Sequence, residues 1–123
     1  MAIDNQHLRE IAQNAFTLVN GGIATAVGGV VPANKKRYIY FLKLVTISIA
    51  VDNVYLWRNG AAGTIPFDSC RIPGVGAGFI GMPYLVLGSD IDFPIYILGP
   101  GEQLGVTMSP AVNYAFISFY DEE

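Results

Sequence analysis

The chain reads as a mostly β protein, an antiparallel sandwich or barrel preceded by a helical N-terminal segment. Three observations predict this. From Ile23 onward, short runs rich in Val, Ile, Tyr, Phe and Thr are broken by Gly, Pro, Asn and Asp, the composition of half-buried pleated strands. About seven or eight such runs occur, with turn signals roughly every 8–12 residues, as in all-β sandwiches. Apolar residues at helical spacing are confined to the N-terminal segment.

In that segment Asp4 or Asn5 can cap a helix. Leu8, Ile11, Ala12, Ala15, Leu18 and Val19 then recur three and four apart, and Gly21-Gly22 supplies a stop. Residues 5–20 are therefore expected to form an amphipathic helix, either packed on its own domain or acting as an arm that docks on a neighbour. The expected organisation is a helix or arm over residues 1–22 and a β-sandwich over 23–123.

Tyr38 to Val51 is the strongest strand candidate. Strict alternation puts Tyr38, Tyr40, Leu42 and Leu44 on one face and Ile39, Phe41, Lys43 and Val45 on the other, both largely apolar, as suits a strand covered on two sides. Asp52-Asn53 interrupts, and Val54 to Arg58 begins a strand that Asn59-Gly60 ends. Residues 66–83, carrying Pro66, Pro73, Pro83 and four glycines, read as irregular. Tyr84–Leu87, Ile91–Leu98 and Gln103–Met108 read as three short strands, the last two joined by a turn at Gly99-Pro100-Gly101-Glu102. Val112–Tyr120 is the final strand, with Tyr114, Phe116, Ser118 and Tyr120 opposed to Ala115, Ile117 and Phe119. Asp121-Glu122-Glu123 reads as a wet, charged tail.

Composition bounds the function. Hydrophobic residues make up 52% of the 123 positions and charged residues 14%, against about 25% charged in an ordinary soluble domain. So little charge implies surface hidden against other chains. A net charge of −3 offers nucleic acid no attractive field, and Lys35-Lys36-Arg37, three of the seven basic residues, reads as a solvated turn. Residues 11–34 carry no charge, but two Gly-Gly pairs and Pro32 argue against a membrane span. The N-terminus lacks the basic region of a secretory signal, so the chain is expected to stay in the cytoplasm where it is made. Cys70 is the one cysteine and reads as a small buried apolar residue rather than a nucleophile.

No chemistry-bearing cluster stands out. Gly76-Ala77-Gly78-Phe79-Ile80-Gly81 matches the dinucleotide fingerprint in letters only, since Met82-Pro83 and a strand-like run follow where a helix is needed. Asp68, Asp90 and Asp92 are a conceivable hard-cation set but read as solvent-facing turn charges. Tyr55, Trp57, Tyr84 and Tyr96 suit either a sugar-binding face or a core and subunit interface, the second being preferred. The expectation is no enzyme, no cofactor and no metal.

With its N-terminal helix or arm, its small sandwich, the Pro100-Gly101-Glu102-Gln103-Leu104 turn feeding a strand, and the closing strand Asn113-Tyr114-Ala115-Phe116-Ile117-Ser118-Phe119-Tyr120, the chain resembles the head decoration, or cement, proteins of tailed bacteriophages. The resemblance implies a jelly-roll-like domain, commonly trimeric, bound to the major capsid protein on the outside of the virion. It transfers no binding site. The residues expected at partner interfaces are Leu8, Ile11, Ala15, Leu18, Tyr38, Tyr40, Tyr114 and Phe116. The alternative is a carbohydrate- or receptor-binding sandwich of a fibre, using Trp57 and residues 66–83.

Overall fold

A computed structural model describes residues 5–20, 24–46, 52–59, 66–72, 84–88, 90–108 and 112–123. In chain order the elements are α1 (Asn5–Ile11), β1 (Gln13–Asn20), β2 (Thr25–Val27), β3 (Lys36–Thr46), β4 (Asp52–Trp57), β5 (Asp68–Ile72), β6 (Tyr84–Leu87), β7 (Tyr96–Leu98), β8 (Leu104–Met108) and β9 (Val112–Glu122). They form two packed antiparallel sheets. The first runs β1-β9-β3-β6, with β7 also on β3, and the second runs β2-β8-β4-β5. With β6 and β7 counted as one interrupted strand, this order is that of a jelly roll, two Greek keys wrapped into a sandwich.

The N-terminal expectation is corrected. The helix ends at Ile11, and residues 13–20 are a strand paired with β9 over eight positions, from Gln13 opposite Phe119 to Asn20 opposite Val112. A short isolated helix is marginal in water, whereas β9 offers this segment a full ladder. The same letters that fit a helical stripe also alternate: Ala15 and Val19 face the core while Phe16 and Leu18 face out. The helix that remains packs on its own chain, with Leu8 buried against Ile91 and Tyr120.

The core lies between the sheets. Val19, Ile39, Leu42, Leu44, Ala115, Ile117 and Phe119 of the first sheet meet Val27, Val54, Leu56, Leu104, Val106 and Met108 of the second. Each larger aliphatic side chain buried this completely contributes about 1.5–3 kcal/mol. Along β9 the expected alternation holds.

Along β3 strict alternation fails once. Ile39 pairs with Phe119 but Phe41 with Ser118, so Tyr40 is an extra residue, a one-residue β-bulge. Ile39 thus joins Leu42 and Leu44 in the core, while Tyr38 and Tyr40 pack with Tyr120 on the outer side. The neighbouring edge breaks at the same place. β7 pairs with Arg37–Ile39 and β6 with Leu42–Val45. Gly88 passes close to the Tyr40 carbonyl at a φ of +68°, a left-handed conformation that glycine adopts without strain.

Other corrections are local. Residues 68–72, expected to be irregular, form β5, and 73–83, with the glycine motif, lie outside the described residues. Of the run expected over 91–98, only 96–98 is strand, because the Asp90 side chain accepts the Asp92 amide at 3.0 Å and holds a turn. β4 begins at Asp52, two residues before the expected start at Val54, and the end of the run expected over 38–51 lies outside the described residues. The Gly99–Glu102 turn forms as expected, Glu102 N–H donating to the Gly99 carbonyl at 3.1 Å.

The basic run and the acidic tail meet. Arg37, 4% exposed, donates from Nε and Nη2 to the two carboxylate oxygens of Asp121 at 2.8 and 3.0 Å. Its Nη1 donates to the Gly29 carbonyl, and its guanidinium lies 4.2 Å from the centre of the Phe119 ring. Neither residue belongs to a wet surface; a planar fork matched to a carboxylate is the usual way to bury an arginine.

Removing one partner of a buried pair leaves an uncompensated charge, at a cost of about 3–5 kcal/mol. Arg37→Ala is therefore expected to lower unfolding free energy by about that amount in urea titrations. The double change Arg37→Met with Asp121→Leu, which buries no charge, should lose clearly less.

Candidate functional site

The outer face of the first sheet is where the sequence departs furthest from an ordinary soluble surface. On β9, Tyr114 and Phe116 point outward because Ala115 and Ile117 point in. β1 sets Phe16 opposite Phe116 and Leu18 opposite Tyr114. β3 adds Phe41, Lys43 and Val45, and β6 adds Val86 opposite Lys43. Phe16 stacks on Tyr114 with ring centres 5.6 Å apart, and Phe41 meets Phe116 edge to face at 5.8 Å. Phe16, Phe41, Lys43, Val45, Tyr114 and Phe116 line an open hollow of about 580 Å³. Phe16 is 62% and Leu18 50% exposed, and large apolar side chains grouped this way mark interaction surfaces.

Only half of the face is open. At its other end Tyr38 stacks on Tyr120 at 5.0 Å and Tyr40 lies 6.3 Å from the same ring, with Leu8 of α1 and Ile91 packed over them. The border falls at Ser118, whose hydroxyl donates to Asn14 Oδ1 at 2.6 Å. Burial pushes the Tyr120 hydroxyl above its ordinary pKa, with Glu122 adding to the effect.

The eight expected interface residues therefore separate. Leu18, Tyr114 and Phe116 share the open hollow or its rim. Leu8, Ile11, Tyr38 and Tyr40 belong to the covered end, and Ala15 turns inward against the core. Phe16, Phe41 and Val45 line the hollow without belonging to the expected set. Alternation along 15–19 carried the signal for Phe16; Phe41 was hidden by the bulge, which has no signature in the letters alone.

The outer face of the second sheet differs in chemistry. Tyr55 and Trp57 stand beside Asn53, Ser69, Arg71 and Thr107. Trp57 Nε1 donates to Thr107 Oγ1 at 2.8 Å, Arg71 Nε donates to Asn53 Oδ1 at 3.2 Å, and the Tyr55 and Trp57 rings are tilted 46° to each other. The chain matches no protein-family model and no curated protein.

The acidic residues are engaged separately. Asp68 accepts the Tyr96 hydroxyl at 2.5 Å and the Ser69 amide at 2.8 Å, whereas Asp90 serves its own turn. Among the described residues no three His, Cys, Asp or Glu side chains gather as a metal site, and no helix is long and apolar enough to cross a membrane. Tyr96, packed edge-on against Phe67 at 5.2 Å, has its pKa raised by burial first and by the Asp68 hydrogen bond second.

Cys70 lies half-buried on β5. Burial, and after it the Asp68 carboxylate, pushes its thiol up to about 11 from 9.0. Because the thiolate is the reactive form, so high a pKa lowers its population at pH 8 by about 100-fold. Labelling by an aromatic disulfide reagent at pH 8 should be slower in the native protein than in urea by one to two orders of magnitude, the higher basicity of the thiolate offsetting part of the loss.

Proposed function

We propose that this chain is a structural protein that works as a homo-oligomer and stabilises a larger protein shell by laying the open apolar half of its first sheet against it. The capsid decoration role implied by the resemblance is the specific form of this reading, with the major capsid protein as partner and the virion surface as location. One observation carries it: the contiguous apolar hollow of Phe16, Phe41, Val45, Tyr114 and Phe116. Such a surface left in water is an aggregation hazard, and covering it against a partner is the ordinary resolution.

Jelly rolls serve capsids, lectins and enzymes alike, so the fold by itself selects none of these. The contrast between faces supports the choice. The hollow offers aromatic and aliphatic surface around Lys43, which suits a protein interface with an apolar centre better than a hydroxyl-rich ligand. The fibre-module alternative draws support from Tyr55, which is 40% exposed beside Trp57 on the polar face. The two rings are tilted 46° to each other, so at most one of them can lie flat against a given sugar ring, and the platform is a single side chain wide.

Co-sedimentation with empty heads of a tailed phage that lack their own decoration protein tests the reading. The unchanged chain is expected to pellet with the heads and raise their melting temperature. Phe116→Glu should keep its far-ultraviolet circular dichroism and lose at least 10-fold in binding. Absence of binding by the unchanged chain, or equal binding by the variant, would overturn it. Retention on immobilised glycans that Tyr55→Ala abolishes would replace it with the alternative.

A further inference from the structure

Sheets end in edges, and the four edges of this sandwich are unequal. β2 and β7 span three residues and β6 four; β5 spans five and carries Asp68 and Arg71. Short or charged strands are how sandwiches keep their edges from pairing with other chains. β1 has neither protection: it is eight residues long, Gln-Asn-Ala-Phe-Thr-Leu-Val-Asn, without charge or proline. Among the described residues its ladder runs to β9 alone, and β2, its neighbour in the chain, pairs with β8 instead.

We infer that β1 pairs antiparallel with β1 of a second copy of this chain, across a two-fold axis at Thr17, joining the two first sheets into one. The inference rests on the homo-oligomeric reading above and identifies the contact between copies. The strand's own pattern selects a second copy as the occupant. For the outer faces to remain continuous, residues facing each other across the new ladder must share a face, so the axis passes through a residue position and not between two. Centred on Thr17, Phe16 of one copy faces Leu18 of the other on the outer side, twice by symmetry, and Ala15 faces Val19 on the inner side. Asn14 falls opposite Asn20. Apart from the Thr17 pair at the axis, on the same inner side as Ala15 and Val19, apolar meets apolar on both faces, and the strand has no charge that could oppose a like one. Centred on Phe16, the same strand would set Leu18 against Asn14. The two hollows, each ending at Phe16 and Leu18, then merge into one surface of twice the extent for the shell.

Position 17 faces itself under this symmetry, which gives a charge-exchange test by light scattering of the full chain. The unchanged chain is expected at an even multiple of 13.3 kDa. Thr17→Lys and Thr17→Glu, each confirmed as folded by circular dichroism, should each have half that mass, because two like charges are opposed. An equimolar mixture of the two should recover the full mass. If both variants keep the full mass, if the mixture fails to recover it, or if the unchanged chain is a trimer, the β1 contact is overturned while self-association stands. A monomer at every concentration overturns both. Should the charged variants not fold, Thr17→Cys with Cys70→Ser decides: opposed strand residues lie within disulfide reach, so oxidation should yield a covalent dimer, and its absence overturns the contact.

Discussion

The first sheet depends on the register between β3 and β9, and that register is pinned by one buried ion pair. Arg37 sits directly opposite Asp121 in the ladder, with both side chains less than a tenth exposed. A slip of one residue would set the two on opposite faces of the sheet and leave one charge facing the core without its partner, which the interior does not tolerate. The pair adds little net stability over an apolar substitute, but it makes alternative alignments expensive. It also fixes the loop ahead of β3, because the third guanidinium nitrogen is spent on the Gly29 carbonyl.

Beyond the ion pair the apolar residues impose a second register. Leu42 and Leu44 must face Val54, Leu56 and their neighbours, and Ile39 must face them too. Three positions separate Ile39 from Leu42, an odd number, so a regular strand cannot satisfy both, and Tyr40 is extruded as the bulge. The adjoining edge divides into β6 and β7 at the same point, and both Tyr40 and Phe41 are left on the outer side. The aromatic wealth of that face follows from a parity conflict in the core. α1 and the turn beginning at Asp90 cover the half that carries Tyr38, Tyr40 and Tyr120, leaving the Phe41 half open.

Much of this was legible in the letters. The sandwich class, the turn at 99–102, the strand at 84–87 and the two faces of β9 follow from composition and period-2 alternation. Tyr114 and Phe116 share one face in sequence and in structure because nothing interrupts the alternation of β9. What escaped had physical causes. Residues 13–20 satisfy both a helical and a strand period, and only the presence of β9 as a partner decides between them. The bulge at Tyr40 arises from two distant constraints acting on one strand. The burial of Arg37 depends on a carboxylate 84 positions away in the chain, a pairing no local pattern encodes, so a basic run and an acidic tail looked equally wet.

The order in which these strands are made has its own cost. β9 lies at the middle of the first sheet, between β1 and β3, yet it follows all of the other strands in synthesis. At about 5–20 residues per second, the neutral, apolar β1 emerges roughly 5–20 s before its ladder partner exists. Through that interval β1 is bare on both edges, and on a polysome the nearest strand able to pair with it belongs to another nascent copy. The edge of β1 that belongs to β9 has to stay free until β9 arrives, and folding is slowed because loop closure over most of the chain precedes the contacts that reward it.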